Sequence, residues 1–499
     1  MKLPGLTKIF NRMKKLFRAL VIIFALLVLI VIIKTATFSS MQLKPEAIEL
    51  PAFPDASVEH LSEAITYPTI SEAIDSPVDT AAFKGFHKFL MEAYPLIHRD
   101  LKKEVFSSFS LLYTWEGSDS RLKPVVLTAH LDVVPTGELS SWSEPPFSGK
   151  NDGTFIWGRG TLDDKSSMIS IMEAVEKLLS ENYKPERTIY LAFGHDEEIG
   201  GLKGAGVMAG ELVKRNLDAE FVLDEGYAVT IGMVPMIKKP VALIGTSEKG
   251  YLSVSLSVEM EGGHSAFPAR ESAITLITGA LNRIVSNQMK SGISEPVNDF
   301  IRYIGPEMPW YARAIFANKW LFKGLILKIY EGGNNSNALV RTTTAPTIIH
   351  AGIKDNVIPT RAEAVVNFRI LPGETSGDVI NHLERVIADD RISIRPLEDL
   401  KEPAPVSPID APGFDIIHKT IRQVYPEALV APTMMLAASD SRKYLGISRN
   451  IYNFAPIIVT DEDLARTHGL NERTQIGHFI RGVGFYYQLI RNCNNQSAG

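Results

Sequence analysis

Cysteine is nearly missing from this 499-residue chain, which has one, Cys493. A lone thiol excludes an intramolecular disulfide framework and any cysteine-built metal centre, so a metal ion here would have to be held by His, Asp and Glu. Its place in the tail argues against a catalytic thiol. A basic excess is missing too, since 52 Lys and Arg face 57 Asp and Glu for a formal charge of −5. Phosphate neutralisation needs a basic surface, so nucleic acid is not an expected partner. No internal repeat or low-complexity tract is visible. With 45% hydrophobic residues the chain can bury more than one core.

Long apolar runs are scarce, with one exception at residues 19–33, "ALVIIFALLVLIVII", which follows Lys2, Lys8, Arg12, Lys14, Lys15 and Arg18. The run has no polar face, so a buried core helix is a poor reading. It falls short of the ~20 residues that a bilayer span needs, but Arg18 and Lys34 can snorkel at its ends. A cleaved signal peptide is the competing reading, and no clean A-x-A site follows to favour it. We therefore expect a transmembrane anchor at 19–34, with residues 1–18 cytoplasmic and everything after Lys34 exported to a periplasm, cell surface or lumen. Cleavage of the segment would make the protein secreted. Residues 35–55 read as a Pro-containing linker.

Three apolar runs, "PVVLTAH", "TIYLAFGHDEE" and "AEFVLDEG", have the continuous hydrophobicity of buried strands in a mainly parallel sheet. Between the first two, Met168, Ile171, Met172, Val175, Leu178 and Leu179 fall on one helix face. This is an α/β pattern. From residue 252 it changes: Leu252, Val254, Leu256, Val258 and Met260 alternate with polar residues, and Ala364, Val366, Phe368 and Ile370 do so again. Helical patterns follow both strands. The expected organisation is an α/β domain over 56–246 and 401–499, interrupted by an inserted α+β, ferredoxin-like domain at 247–400.

Ionisable residues gather where these strands end, at the edge where open α/β sheets bind ligands. His130, Asp163, Glu197, Glu198, Asp224 and His468 form a donor set suited to a hard or borderline divalent metal. His130 and Asp132, two apart on a strand, point to the same side. They are a ligand and its orienter, or merely a polar strand end. Each residue alone is weak, because a strand-end histidine is more often structural and acidic pairs are usually solvated.

Taken together and in order, "AHLDVVP", "PFSG…GRGTLDDK", "GHDEEIGG", "LDEG", "GGHSAFP" and "RTHGLNE" resemble the two-zinc metallopeptidase family of carboxypeptidase S, glutamate carboxypeptidase, aminoacylase and acetylornithine deacetylase. The resemblance spans about residues 60 to 490. "GRGTLDDK", "VLDEG" and "NALVRTTTA" are most similar to the carboxypeptidase S branch, which includes the enzymes that make and cleave N-fatty-acyl amino acids. It implies a zinc-peptidase catalytic domain with a central mixed sheet, an inserted lid and dimerisation domain, and two Zn2+ per subunit. It makes His130 and Asp224 ligands of one ion, Glu198 and His468 ligands of the other, and Asp163 the bridge. Asp132 would then orient His130, and Glu197 would be the general base acting on metal-activated water. The same resemblance gives His264 an oxyanion role, supplied by the partner subunit in a homodimer, and Asn337 a supporting one. Arg369 would clamp the free carboxylate of a small N-acyl amino acid or short peptide.

One departure from the family pattern is an aromatic-rich enlargement between about 286 and 334, which reads either as ordinary packing in a larger lid or as a lipid-touching amphipathic surface. An aminopeptidase on the same metal core and a catalytically silent binding homologue are the rival readings.

Overall fold

The computed structural model describes residues 4–46 and 48–494, with side chains from residue 10 onward. Lys2 and the side chain of Lys8, counted above in the basic segment, lie outside the described residues.

The apolar strands Val125–His130, Ile189–Gly194 and Phe221–Asp224 lie parallel and adjacent, the first in the middle. Their hydrophobicity is continuous because both faces are covered. Val125, Leu127 and Ala129 enter one core with helices Lys165–Ser180 and Ile476–Asn494, while Val126 enters a second core with helix Ala205–Lys214. Antiparallel strands Lys102–Phe106 and Ser110–Trp115 extend one edge. On the other side Ile451–Asn453 pairs parallel with Phe221–Asp224, and Val241–Glu248 and Leu429–Met435 continue the mixed sheet. The register sets His130 opposite Gly194, so the residues after these strands emerge at one edge. Helix Lys165–Ser180 buries Met168, Ile171, Met172, Val175 and Leu178, as its periodicity predicts, with Leu179 partly buried.

A single residue, Lys249, separates Val241–Glu248 in this sheet from Gly250–Glu259 in the next. The second sheet is antiparallel, ordered Thr343–Ala351, Arg361–Ile370, Gly250–Glu259, Ser393–Pro396. Helices Ala273–Ser286 and Ser376–Ile387 pack on one face over Leu252, Val254, Leu256, Val258, Ala364, Val366 and Phe368. Both open with reciprocal capping boxes, Ser272 with Thr275 and Thr375 with Asp378, which fix where they begin. Strand–helix–strand–strand–helix–strand in this order is the ferredoxin-like arrangement.

Two regions differ from expectation. The aromatic enlargement does not swell the core of the second sheet. Helices Glu295–Ile304, Trp310–Ala317 and Lys319–Tyr330 form their own cluster around Val297, Ile301, Ala312, Phe316 and Ile326, while Tyr303 and Ile304 join the main core. The expected linker is also no free spacer. Helix Pro4–Thr37 takes up its first residues, Phe38 packs on that helical cluster, and the amide of Gln42 both donates to and accepts from the backbone of Val430. Ile48, Leu50 and Phe53 then pack on the main core, so the segment is a strap.

Candidate metal centre

The centre is built around Asp163. One carboxylate oxygen lies 2.9 Å from His130 Nε2 and the other 3.0 Å from His468 Nε2, so each histidine meets its own oxygen. His468 Nε2 is also 3.2 Å from Glu198. Ligand atoms of His130, Asp163 and Glu198 all fall within 4.8 Å of one another.

The turn carrying Asp163 is held from below. Glu472, fully buried, accepts backbone N–H bonds from Gly160 at 3.0 Å, Leu162 at 2.7 Å and Asp163 at 3.3 Å, and its other oxygen meets Arg159 Nη1 at 2.5 Å. Arg159 also donates to the Gly469 carbonyl, next to His468. The two chain segments that supply Asp163 and His468 are thus tied by one buried ion pair. Lys165, equally buried, donates to the carbonyls of Ala64 and Tyr67 and fixes the start of the following helix.

Asp132 does more than the sequence pattern implied. The nearest acceptor for His130 Nδ1 is the main-chain carbonyl of Asp132 at 3.0 Å, with its carboxylate at 3.4 Å. That carboxylate accepts the backbone N–H groups of Glu197 at 3.1 Å and Glu198 at 3.2 Å. Asp132 thus meets His130 through its main-chain carbonyl and holds the acidic turn with its carboxylate. Gly201 closes this turn at φ +64, where a Cβ would come within 1.7 Å of Asp440, a buried acid that approaches from the segment after strand Leu429–Met435. Asp224 ends its strand 2% exposed and lies outside the tight three-residue group. Asp164, next to Asp163, is buried, with His130 N–H 3.4 Å from its Oδ2.

The donor chemistry fits divalent cations. Five carboxylates, those of Asp132, Asp163, Glu197, Glu198 and Asp224, surround two imidazoles, an imbalance that burial makes costly without added positive charge. Glu198 Oε1 and Asp224 Oδ2 are buried with no hydrogen-bond partner. Burial pushes Asp224 up to about 6 and holds Glu197 and Glu198 above the usual carboxylate range, with neighbouring acids adding to the effect. Hydrogen bonds to Asp163 and Glu198 lift His468 to about 10. The protons these histidines share with carboxylates occupy positions where a cation would serve both partners.

The remaining candidates lie on the inserted part. His264 is exposed on the short strand Gly263–His264, and its Nδ1 accepts the Ala266 N–H. Asn337 is half-buried on helix Asn334–Val340, behind which Lys249 donates to the carbonyls of Ala338 and Arg341. Arg369 is half-buried with its guanidinium 4.9 Å above the Tyr251 ring. Sequence reasoning missed Glu472, Arg159 and Asp440. Glu472 stood in "RTHGLNE", four residues after a candidate ligand, but nothing local marks it as the partner of a distant turn.

Residues 126–492 match the family model "Peptidase family M20/M25/M40". "Probable carboxypeptidase S-like 2" of Dictyostelium discoideum is 41% identical over 97% of this chain and 94% of its own length. An "N-fatty-acyl-amino acid synthase/hydrolase" of Xenopus tropicalis is 39% identical over 88% of this chain and 86% of its own. In fold, the chain is similar to an M20 family metallo-carboxypeptidase from Sulfolobus solfataricus, with TM-score 0.64 at 17% identity, covering 89% of this chain and 100% of that one.

Proposed function

Because this chain belongs to the M20/M25/M40 peptidase family and is a hydrolase of peptide or amide bonds, we propose that it is a two-zinc enzyme that releases an amino acid from a small N-acyl amino acid or short peptide. The observation that carries the two-ion reading is Asp163, which offers one oxygen to the His130 side and the other to the His468 side. His130 and Asp224 would complete one ion's shell and Glu198 and His468 the other's. Bound zinc would supply Lewis-acid polarisation of the amide carbonyl and acidify the attacking water.

The chain's own residues do the rest. Glu197, its backbone fixed by Asp132 and its carboxylate made more basic by burial, takes the proton from water and passes it to the leaving amine. Arg369, a planar fork stacked on Tyr251, binds the substrate carboxylate. His264, exposed on its own subunit, stabilises the oxyanion in the site of a partner subunit, with Asn337 assisting. The apolar helix Phe10–Thr37 is a retained anchor with its basic end cytoplasmic and the hydrolase exported. The relatives' names supply both substrate classes, N-fatty-acyl amino acids and carboxypeptidase substrates.

The test is mass-spectrometric detection of amino acids released by the zinc-loaded protein from a mixture of short peptides and N-acyl amino acids. Glu197→Gln should bind zinc like the wild type yet lose about 10²–10⁴ in turnover. Substantial turnover by that variant would remove Glu197 from the role of base.

A further inference from the structure

The aromatic enlargement does not hang free: its helix Trp310–Ala317 packs alongside the N-terminal apolar helix. Leu27, Val31 and Thr35 on its last turns, and Phe38 just beyond its end, are the shielded residues, while those between them are exposed. The four-residue spacing of Leu27, Val31 and Thr35 puts these three on one helix face. Helix Trp310–Ala317 and the residue after it meet this face at Val31, Thr35 and Phe38. Asn318, fully buried, donates to the Val31 carbonyl at 3.2 Å and also lies 3.2 Å from Thr35 Oγ1. Arg313 donates to the Phe38 carbonyl at 2.6 Å, and Lys34 sits 5.6 Å from the Trp320 ring centre. The strap beyond Phe38 is pinned at Gln42, so the enlargement keeps a set position relative to the end of the apolar helix.

These contacts fix a depth. Val31, which Asn318 reaches, lies two residues before Ile33, the end of the apolar run, which at the α-helical rise is about 3 Å along the axis. What packs beside Val31 therefore lies just inside the end of the apolar run, at the boundary of headgroups and acyl chains where interfacial helices lie. The surface there is suited to it. Leu321, Leu325 and Ile329, at four-residue spacing on helix Lys319–Tyr330, are 41%, 45% and 56% exposed. Trp310 and Trp320 are 79% and 51% exposed, and aromatic rings of this kind settle at headgroup level. Lys323 and Lys328 on the same helix are exposed and long enough to reach phosphates.

We propose that the outer face of helices Trp310–Ala317 and Lys319–Tyr330 is a second membrane contact, seated in the leaflet from which the anchor helix emerges. The occupant is the phospholipid bilayer, because this face is tied to the emerging end of the anchor through Arg313, Asn318 and Trp320. The hydrolase is then docked on the membrane in one orientation. This inference rests on the anchor reading given above.

The test uses the full chain reconstituted into phosphatidylcholine vesicles, with acyl chains brominated or not, after alkaline carbonate extraction. Trp310 and Trp320 are two of the chain's five tryptophans, and bromine should quench their share of the emission. Trp310→Phe with Trp320→Phe should abolish the quenchable fraction, and Leu325→Glu with Ile329→Glu, both at exposed positions, should at least halve it. Retention in the membrane without quenching overturns the proposal and leaves the anchor standing. Loss of the chain to carbonate overturns both. A Leu325→Cys variant adds an exposed thiol to a chain whose one cysteine, Cys493, is buried. Its rapid disulfide cross-linking in vesicles, together with absent quenching, overturns the proposal in favour of a contact between two copies.

Discussion

Replacing Glu472 by Gln tests how the metal centre is held in shape. Glu472 is fully buried, and it accepts three backbone N–H groups of the Asp163 turn while pairing with Arg159, itself 2% exposed. The amide can keep accepting from the turn, but Arg159 loses its counter-charge, and its Nε already lacks a hydrogen-bond partner. Breaking one side of a buried pair costs ~3–5 kcal/mol; since one acceptor survives, about 3 kcal/mol is the expected loss. At roughly 2–4 °C per kcal/mol for a large domain, Tm should fall by about 6–12 °C in thermal unfolding at pH 7.5. Arg159→Met added to Glu472→Gln removes the uncompensated charge and should recover at least half of that loss. The single variant should also bind zinc more weakly, because the segments carrying Asp163 and His468 are no longer tied together. A single variant within about 2 °C of the wild type, or a double variant no more stable than the single, would refute the view that this ion pair organises the centre.

Arg369→Ala should raise KM for substrates with a free carboxylate by roughly thirtyfold, the equivalent of about 2 kcal/mol for a charge-assisted bond, with kcat little changed. Steady-state kinetics on a substrate and its C-terminal amide check this, and an equal effect on both would rule out the clamp. His418, 1% exposed, accepts the Leu43 N–H on Nε2 at 3.4 Å, and burial lowers it to about 3. Its folded pKa lies below the unfolded value near 6.5, so the stability it permits is complete above pH 6.5 and is lost as pH falls toward 3. At pH 5 that loss is about 2 kcal/mol. His418→Gln, which can still accept from Leu43, should therefore show a smaller drop in Tm between pH 7 and 5; parallel profiles for the two proteins would exclude His418 as the cause.

What the sequence made legible follows from the range of the interactions involved. The parallel core strands were readable because burial on both faces demands continuous hydrophobicity, and the second sheet because its single buried face demands alternation. The candidate ligands were readable because metal chemistry restricts residue type and open α/β sheets restrict position. The strap was not, because what turns residues 38–53 from spacer into fixture is the pairing of Gln42 with Val430 and of Leu43 with His418, across more than 370 residues of chain. Glu472 and Asp132 show the same limit within the site. "AHLD" suggested that Asp132 serves His130, and it lies beside that histidine. Yet the backbone N–H groups that its carboxylate accepts belong to Glu197 and Glu198, more than 60 residues away. A strand alternates its side chains by local geometry, and local geometry is what a sequence records. Which donor from the turn after a neighbouring strand occupies the space beyond the side chain is set by sheet order, and only the folded chain brings the two together.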